Sequence, residues 1–141
     1  MAFWLFKTEP GAFSWDDQVR AGPEGEEWSG VRNALAQKHM RAMKIGDLGF
    51  FYHSVDEKRV VGVVRVVAEI HPDSSDATGR WNCVDVAAVG AFPKPVTLAE
   101  IKAEPRLASM VLVTNSRLSV QPVSEEEWAL VCRMGGYKTR G

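Results

Sequence analysis

Arg59-Val60-Val61-Gly62-Val63-Val64-Arg65-Val66-Val67-Ala68-Glu69-Ile70-His71 decides the fold class. It reads as one long strand. Strict alternation puts Val60, Gly62, Val64, Val66, Ala68 and Ile70 on one side, and Val61, Val63, Arg65, Val67 and Glu69 on the other. The second side carries charge, so it is only partly buried. Gly62 stands where a bend or bulge lets a long strand curve. Just upstream, Asp47 to His53 is a strand rich in Phe and Tyr, and Ser54 to Glu57 turns the chain. Downstream, residues 72–80 are a polar loop and Trp81 to Phe92 is a further strand closed by Pro93 and Pro95. The long central strands form a meander and do not alternate with helices.

Outward from this centre the elements are short. Residues 2–7 are a strand ended by Pro10-Gly11. Ser14 caps a helix over 14–20, with Asp16 and Asp17 at its positive end. Ala21 to Glu27 is an acidic loop. Val31, Ala34, Leu35, Met40 and Met43 follow helical spacing over 31–43. Thr97 and Glu100 have capping-box spacing for a helix that Pro105 stops, and Ser124 and Glu127 have it for a last helix with Trp128, Val131 and Cys132 on one face and Gly135 at its end. Met110 to Thr114 and Leu118 to Val120 read as short strands. About five or six strands and about four short helices predict an α+β fold around a curved mixed or antiparallel β-barrel, as a single domain over 1–141.

The composition fits that size. The chain has 141 residues, 45% of them hydrophobic, with 17 basic and 18 acidic side chains and a net charge of −1. It can build a core, and its low charge excludes disorder as the main state. The most apolar run, Val60 to Ala68, is interrupted by Arg65 and falls far short of the ~20 residues a bilayer needs, so no membrane partner is expected. Near-neutrality excludes binding to nucleic acid by bulk charge. The charge is nevertheless uneven. Residues 31–65 hold seven basic side chains (Arg32, Lys38, Arg41, Lys44, Lys58, Arg59, Arg65) against three acids, a net +4. Arg133, Lys138 and Arg140 add to the tail. The two cysteines, Cys83 and Cys132, read as buried free thiols rather than a disulfide, and the N-terminus as a strand rather than a signal peptide. A reducing, cytoplasmic compartment is the expectation. His39, His53 and His71 lack partners at zinc spacing, so no metal site is expected. Phosphate loop and nucleophile elbow are absent, so neither cofactor nor catalysis is expected.

Four polar stretches exceed what a packed domain needs. They are Lys7-Thr8-Glu9-Pro10, Trp28-Ser29-Gly30-Val31-Arg32-Asn33, Phe50-Phe51-Tyr52-His53-Ser54 and Ser116-Arg117-Leu118-Ser119-Val120-Gln121-Pro122. Each has an ordinary structural reading: a strand end, a helix cap with a packed Trp, a core-edge Tyr and His, and an edge strand.

Taken in order, and with Met40-Arg41, Gly46-Asp47, Val61-Gly62-Val63, Trp128 and Met134-Gly135-Gly136, these stretches resemble the EVE domain family over nearly the whole chain. Thr8 replaces the Ser of the common Lys-Ser-Glu-Pro pattern, and Ser29 stands where an acid is common. The resemblance implies a PUA-like fold, akin to YTH and ASCH domains, that holds one modified base in an aromatic pocket. The implied partner is DNA with a modified base, above all a modified cytosine, or modified RNA. By motif matching the pocket draws on Lys7, Glu9, Trp28, Arg32, Asn33, Tyr52, His53, Ser54, Ser116, Arg117, Leu118, Ser119 and Gln121. Trp28 and Tyr52 are the expected stacking platforms, and Glu9, Asn33, Ser54 and Ser119 the expected readers of base edges. Arg32 and Arg117, with Lys38, Arg41 and Lys44, are expected at phosphates. The expectation is a monomeric, non-enzymatic reader. Two alternatives stand beside it: an enzyme on a modified nucleotide using Lys7, Glu9 and His53 as acid–base groups, and a protein adaptor with a Trp-rich face.

Overall fold

Side chains of the strand Leu48–His53 alternate between two hydrophobic cores. Phe50 and Tyr52 enter one, while Phe51 enters the other and stacks edge-on with His53. The computed structural model describes residues 1–138; Arg140, counted above in the basic tail, lies outside them. Its elements are β1 (Phe3–Thr8), α1 (Trp15–Arg20), β2 (Glu26–Glu27), α2 (Ala34–Ala42), β3 (Leu48–His53), β4 (Arg59–Pro72), β5 (Asn82–Thr97), α3 (Leu98–Ala103), a 3-10 turn (Pro105–Leu107), α4 (Val111–Thr114), β6 (Val120–Val123) and α5 (Glu125–Met134). The strands form one curved sheet in the order β2-β5-β4-β3-β1-β6. Only β1 and β3 run parallel; the other neighbours are antiparallel. The fold is α+β with a mixed sheet, as expected, but the sheet stays open, with β2 and β6 as its edges.

Helices cover both faces. On one, Ile101 of α3, Leu112 of α4 and Trp128 and Val131 of α5 pack on Leu5, Phe50 and Tyr52. Trp128 stacks on Phe50 at 4.0 Å and on Phe3 at 4.6 Å. On the other, Ala36 and Met40 of α2, with Trp28 and Trp15, pack on Trp4, Phe6 and Phe51. Both expected capping boxes form, Thr97 with Glu100 and Ser124 with Glu127, and the Ser14 cap makes a third with Asp17. Cys83 and Cys132 are buried free thiols, as expected, and burial pushes each up to about 12.

Six local expectations are corrected. Alternation along β4 breaks, because Val61 bulges between Val60 and Gly62 against the adjacent β3 pair Phe51 and Tyr52. The extra residue shifts the phase, so Val61 joins Val64 and Val66 in one core while Val60 and Val63 enter the other. Strand β5 does not stop at Pro93. It leaves the β4 register between Ala91 and Val96, where Pro93 and Pro95 have no N–H to give the ladder and the Lys94 N–H donates to Gly135 O at 3.1 Å, and rejoins β4 up to Thr97. Residues 111–114 are a helical turn, not a strand: Val113 and Thr114 both donate their N–H to Met110 O. Strand β6 accordingly starts at Val120 instead of ending there, and α2 starts at Ala34, behind an Asn33 cap, instead of at Val31. Finally, the acidic loop contains a two-residue strand, Glu26-Glu27, paired with Val86 and Asp85.

Candidate functional site

Four segments meet at the β2 side of the second core and enclose a cavity of about 520 Å³. The end of β1 contributes Lys7 and Thr8, the following turn Ala12 and Phe13, the run from β2 to α2 Glu26 through Arg32, and the approach to β6 Ser119.

The Trp28 segment is fixed at both ends. The Trp28 N–H donates to Val84 O at 2.8 Å, which anchors the segment to β5. Its indole meets Phe6, Phe13 and Phe51 edge-on, with centroids 5.2, 6.0 and 5.5 Å away. Two residues on, Gly30 takes φ +81°, a conformation glycine adopts without strain. That turn aims the Gly30 N–H at Asp73 Oδ2, 2.8 Å away, and Arg32 Nη1 donates to the same oxygen at 3.1 Å. The Ser75 N–H and hydroxyl donate to the other oxygen. Burial would raise the Asp73 carboxyl, but these donors outweigh it and hold the group at about 2. Arg32 also lies over the Trp81 ring at 5.8 Å, with Arg80 over the same ring at 5.1 Å. Asn33 is engaged as the α2 cap, its side-chain oxygen accepting from Ala36 N–H at 2.9 Å.

A second hollow of about 490 Å³ adjoins the first and shares Lys7, Thr8 and Ser119 with it. Among the described residues four cations line it, Lys7, Lys58, Lys102 and Arg117, against one carboxylate, that of Glu9. Ser54 and Ser116 line it as well. Lys7 Nζ donates to Ser116 O at 2.6 Å and sits 5.8 Å from the Tyr52 ring, and burial lowers its pKa.

Of the residues expected at the site, Lys7, Trp28, Arg32 and Ser119 line the first cavity, and Glu9, Ser54, Ser116 and Arg117 line the second. Tyr52 lies elsewhere: it is 3% exposed in the opposite core, and burial pushes its hydroxyl up to about 12. His53 is 7% exposed and braces α1. Its Nε2 accepts the Trp15 N–H at 3.0 Å, so Nδ1 carries the proton facing Glu57 Oε1 at 2.8 Å. Leu118 and Gln121 are buried, and Gln121 Nε2 shapes the bend before β6 by donating to Leu118 O at 2.7 Å. Lys38, Arg41 and Lys44 stand exposed on and after α2 and line neither cavity. Sequence reasoning missed Phe13, Glu26, Asp73, Lys58 and Lys102. Glu26 looked like part of a solvated loop, and only the β2–β5 pairing brings it to the cavity.

Known proteins share this whole frame. The EVE domain model matches residues 2–134. A crystal structure of protein Atu2648 from Agrobacterium tumefaciens superposes with a TM-score of 0.96 at 55% identity, covering 99% of this chain and 97% of that one. Human thymocyte nuclear protein 1 is 33% identical over 91% of this chain and 71% of its own length. Its crystal structure in complex with 5-methylcytosine-containing DNA superposes with a TM-score of 0.86, covering 99% of this chain and 100% of that one. A YTH domain from Zygosaccharomyces rouxii, at 17% identity and a TM-score of 0.59 over 99% of this chain and 89% of that one, shares the fold. With the sheet order, the ordered motifs and these matches in agreement, the chain belongs to the EVE domain family.

Proposed function

We propose that this domain is a non-enzymatic nucleic-acid reader that takes one modified base, a modified cytosine in DNA, into the 520 Å³ cavity. The observation that carries the reading is the cavity's composition. Phe13 and Trp28 supply aromatic surface, Glu26 supplies a carboxylate, and a hollow with four cations opens beside it. Aromatic stacking returns ~1–3 kcal/mol per base, against the few kcal/mol needed to unstack it. A carboxylate suits the exocyclic amine of cytosine. Lys58, Lys102 and Arg117 are placed to hold the flanking phosphates while Lys7 and Ser119 bridge the two spaces. The complex of the human relative with 5-methylcytosine DNA supports the same choice of partner. The acid–base reading loses one of its three groups, because both nitrogens of His53 are engaged with Trp15 and Glu57.

The test is fluorescence anisotropy with short duplexes that differ only in the methyl group of one cytosine, at fixed salt. The expected result is tighter binding of the methylated duplex, lost in Ser119→Trp, which fills the shared wall. Equal affinity for the two duplexes, or unchanged binding by the variant, overturns the reading.

A further inference from the structure

The registers of β2, β5 and β4 bring together four side chains that are remote in sequence. Glu27 pairs with Asp85, and His71 pairs with Cys83. Cys83 and Asp85 are two apart on β5, so they face the same side. One ligand atom from each of Glu27, His71, Cys83 and Asp85 lies within 4.8 Å of all the others. We propose that these four residues bind a divalent zinc-type ion beside the base cavity.

The donor set is chemically right. Thiolate and imidazole favour zinc, and two carboxylates complete a four-coordinate site. His71 Nδ1 lies 2.9 Å from Pro72 O, an acceptor only, so Nδ1 carries the hydrogen and Nε2 faces the cluster. Nε2 is 2.7 Å from Asp85 Oδ1 and 3.9 Å from Cys83 Sγ. Two acceptors so close need a cation between them, a proton or a metal. Metal–ligand bonds of about 2.0–2.3 Å put tetrahedral edges at about 3.3–3.8 Å, within reach of small side-chain rotations from this arrangement. Outer partners are also built. Pro72 O orients the imidazole, and the Ser74 N–H and hydroxyl donate to Glu27 Oε1 at 3.2 and 2.6 Å. The side chains of Glu27, His71 and Asp85 are 24–31% exposed, so an ion can reach the buried sulfur from solvent. On binding, the thiol and Nε2 protons leave to water and the metal takes their place. The ion would tie β2 to β4 and β5 directly behind Trp28, whose N–H is held by Val84, the residue between two of the ligands.

The experiment is a Co(II) titration of the untagged, chelator-treated chain, followed by absorption. The expected result is saturation at one equivalent with a thiolate-to-cobalt charge-transfer band, displaced by Zn(II). Cys83→Ser should abolish the band and weaken Zn(II) binding by at least about tenfold, whereas Cys132→Ala, in the opposite core, should keep both. Far-UV circular dichroism verifies that each variant is folded. No charge-transfer band in the parent chain, or a band that persists in folded Cys83→Ser, overturns the proposal.

Discussion

The carboxylate of Asp73 accepts the Gly30 N–H at 2.8 Å and so fixes the turn that follows Trp28 in the cavity wall. The same oxygen holds Arg32, so one buried group sets both the backbone and the cation at that rim.

Asp73 makes stability depend on acid. Its carboxyl lies at about 2 in the folded chain against an ordinary 3.8. A depressed carboxyl contributes stability that is complete above the unfolded value and is lost as pH falls through the folded one. Denaturant unfolding should show on the order of 2 kcal/mol from this group at neutral pH, declining between about pH 4 and 2. In Asp73→Asn that part of the pH dependence should vanish. An identical acid profile in the variant would contradict the assignment.

Gly62 accommodates Trp15. A Cβ at Gly62 would lie 2.5 Å from the indole Cη2, and the ring is held against Phe51 at 5.2 Å. Gly62→Ala should destabilise the domain by about 1–3 kcal/mol. In a Trp15→Ala background the penalty should fall by more than about 1 kcal/mol, because the obstructing ring is gone. Additive losses in a double-mutant cycle would sink this packing account.

Trp28 and Phe13 should separate stability from binding. Trp28 is 6% exposed and wedged among three aromatic rings, so Trp28→Ala should cost about 3–5 kcal/mol of stability. Phe13 is half-buried at the mouth, and Phe13→Ala should leave the domain folded while weakening binding of a methylated duplex about tenfold. Thermal unfolding and anisotropy on the same samples check both.

The second hollow should carry the salt dependence. Lys58→Ala and Arg117→Ala should each weaken methylated and unmethylated duplexes alike and reduce the slope of log affinity against log salt by about 1. Arg41→Ala, on the α2 face, should change the slope less. A larger effect from Arg41 would move the phosphate track to α2.

Period and capping made most of the fold legible. The alternation of Phe50 to His53, the helix caps at Ser14, Thr97 and Ser124 and the irregularity beside Gly62 are local signals, and each is obeyed. Val111 to Thr114 misled because β-branched residues favour a strand by propensity, whereas the chain there makes one turn on Met110. The site was only partly legible. Motif order found Lys7, Trp28, Arg32 and Ser119, but Tyr52 follows strand alternation into the other core. Glu26 reaches the cavity through the pairing of β2 with β5, Asp73 acts on its rim through Gly30 and Arg32, and Glu27, His71, Cys83 and Asp85 meet only through register.

Base capture in the cavity is tested most directly by backbone amide chemical shifts on titration with a duplex holding one 5-methylcytosine. The expected result is that Trp28, Ser29, Gly30 and Ser119 shift strongly with the methylated duplex and weakly with its unmethylated twin. Shifts confined to Lys38 through Lys44, with the cavity amides unmoved, would contradict it.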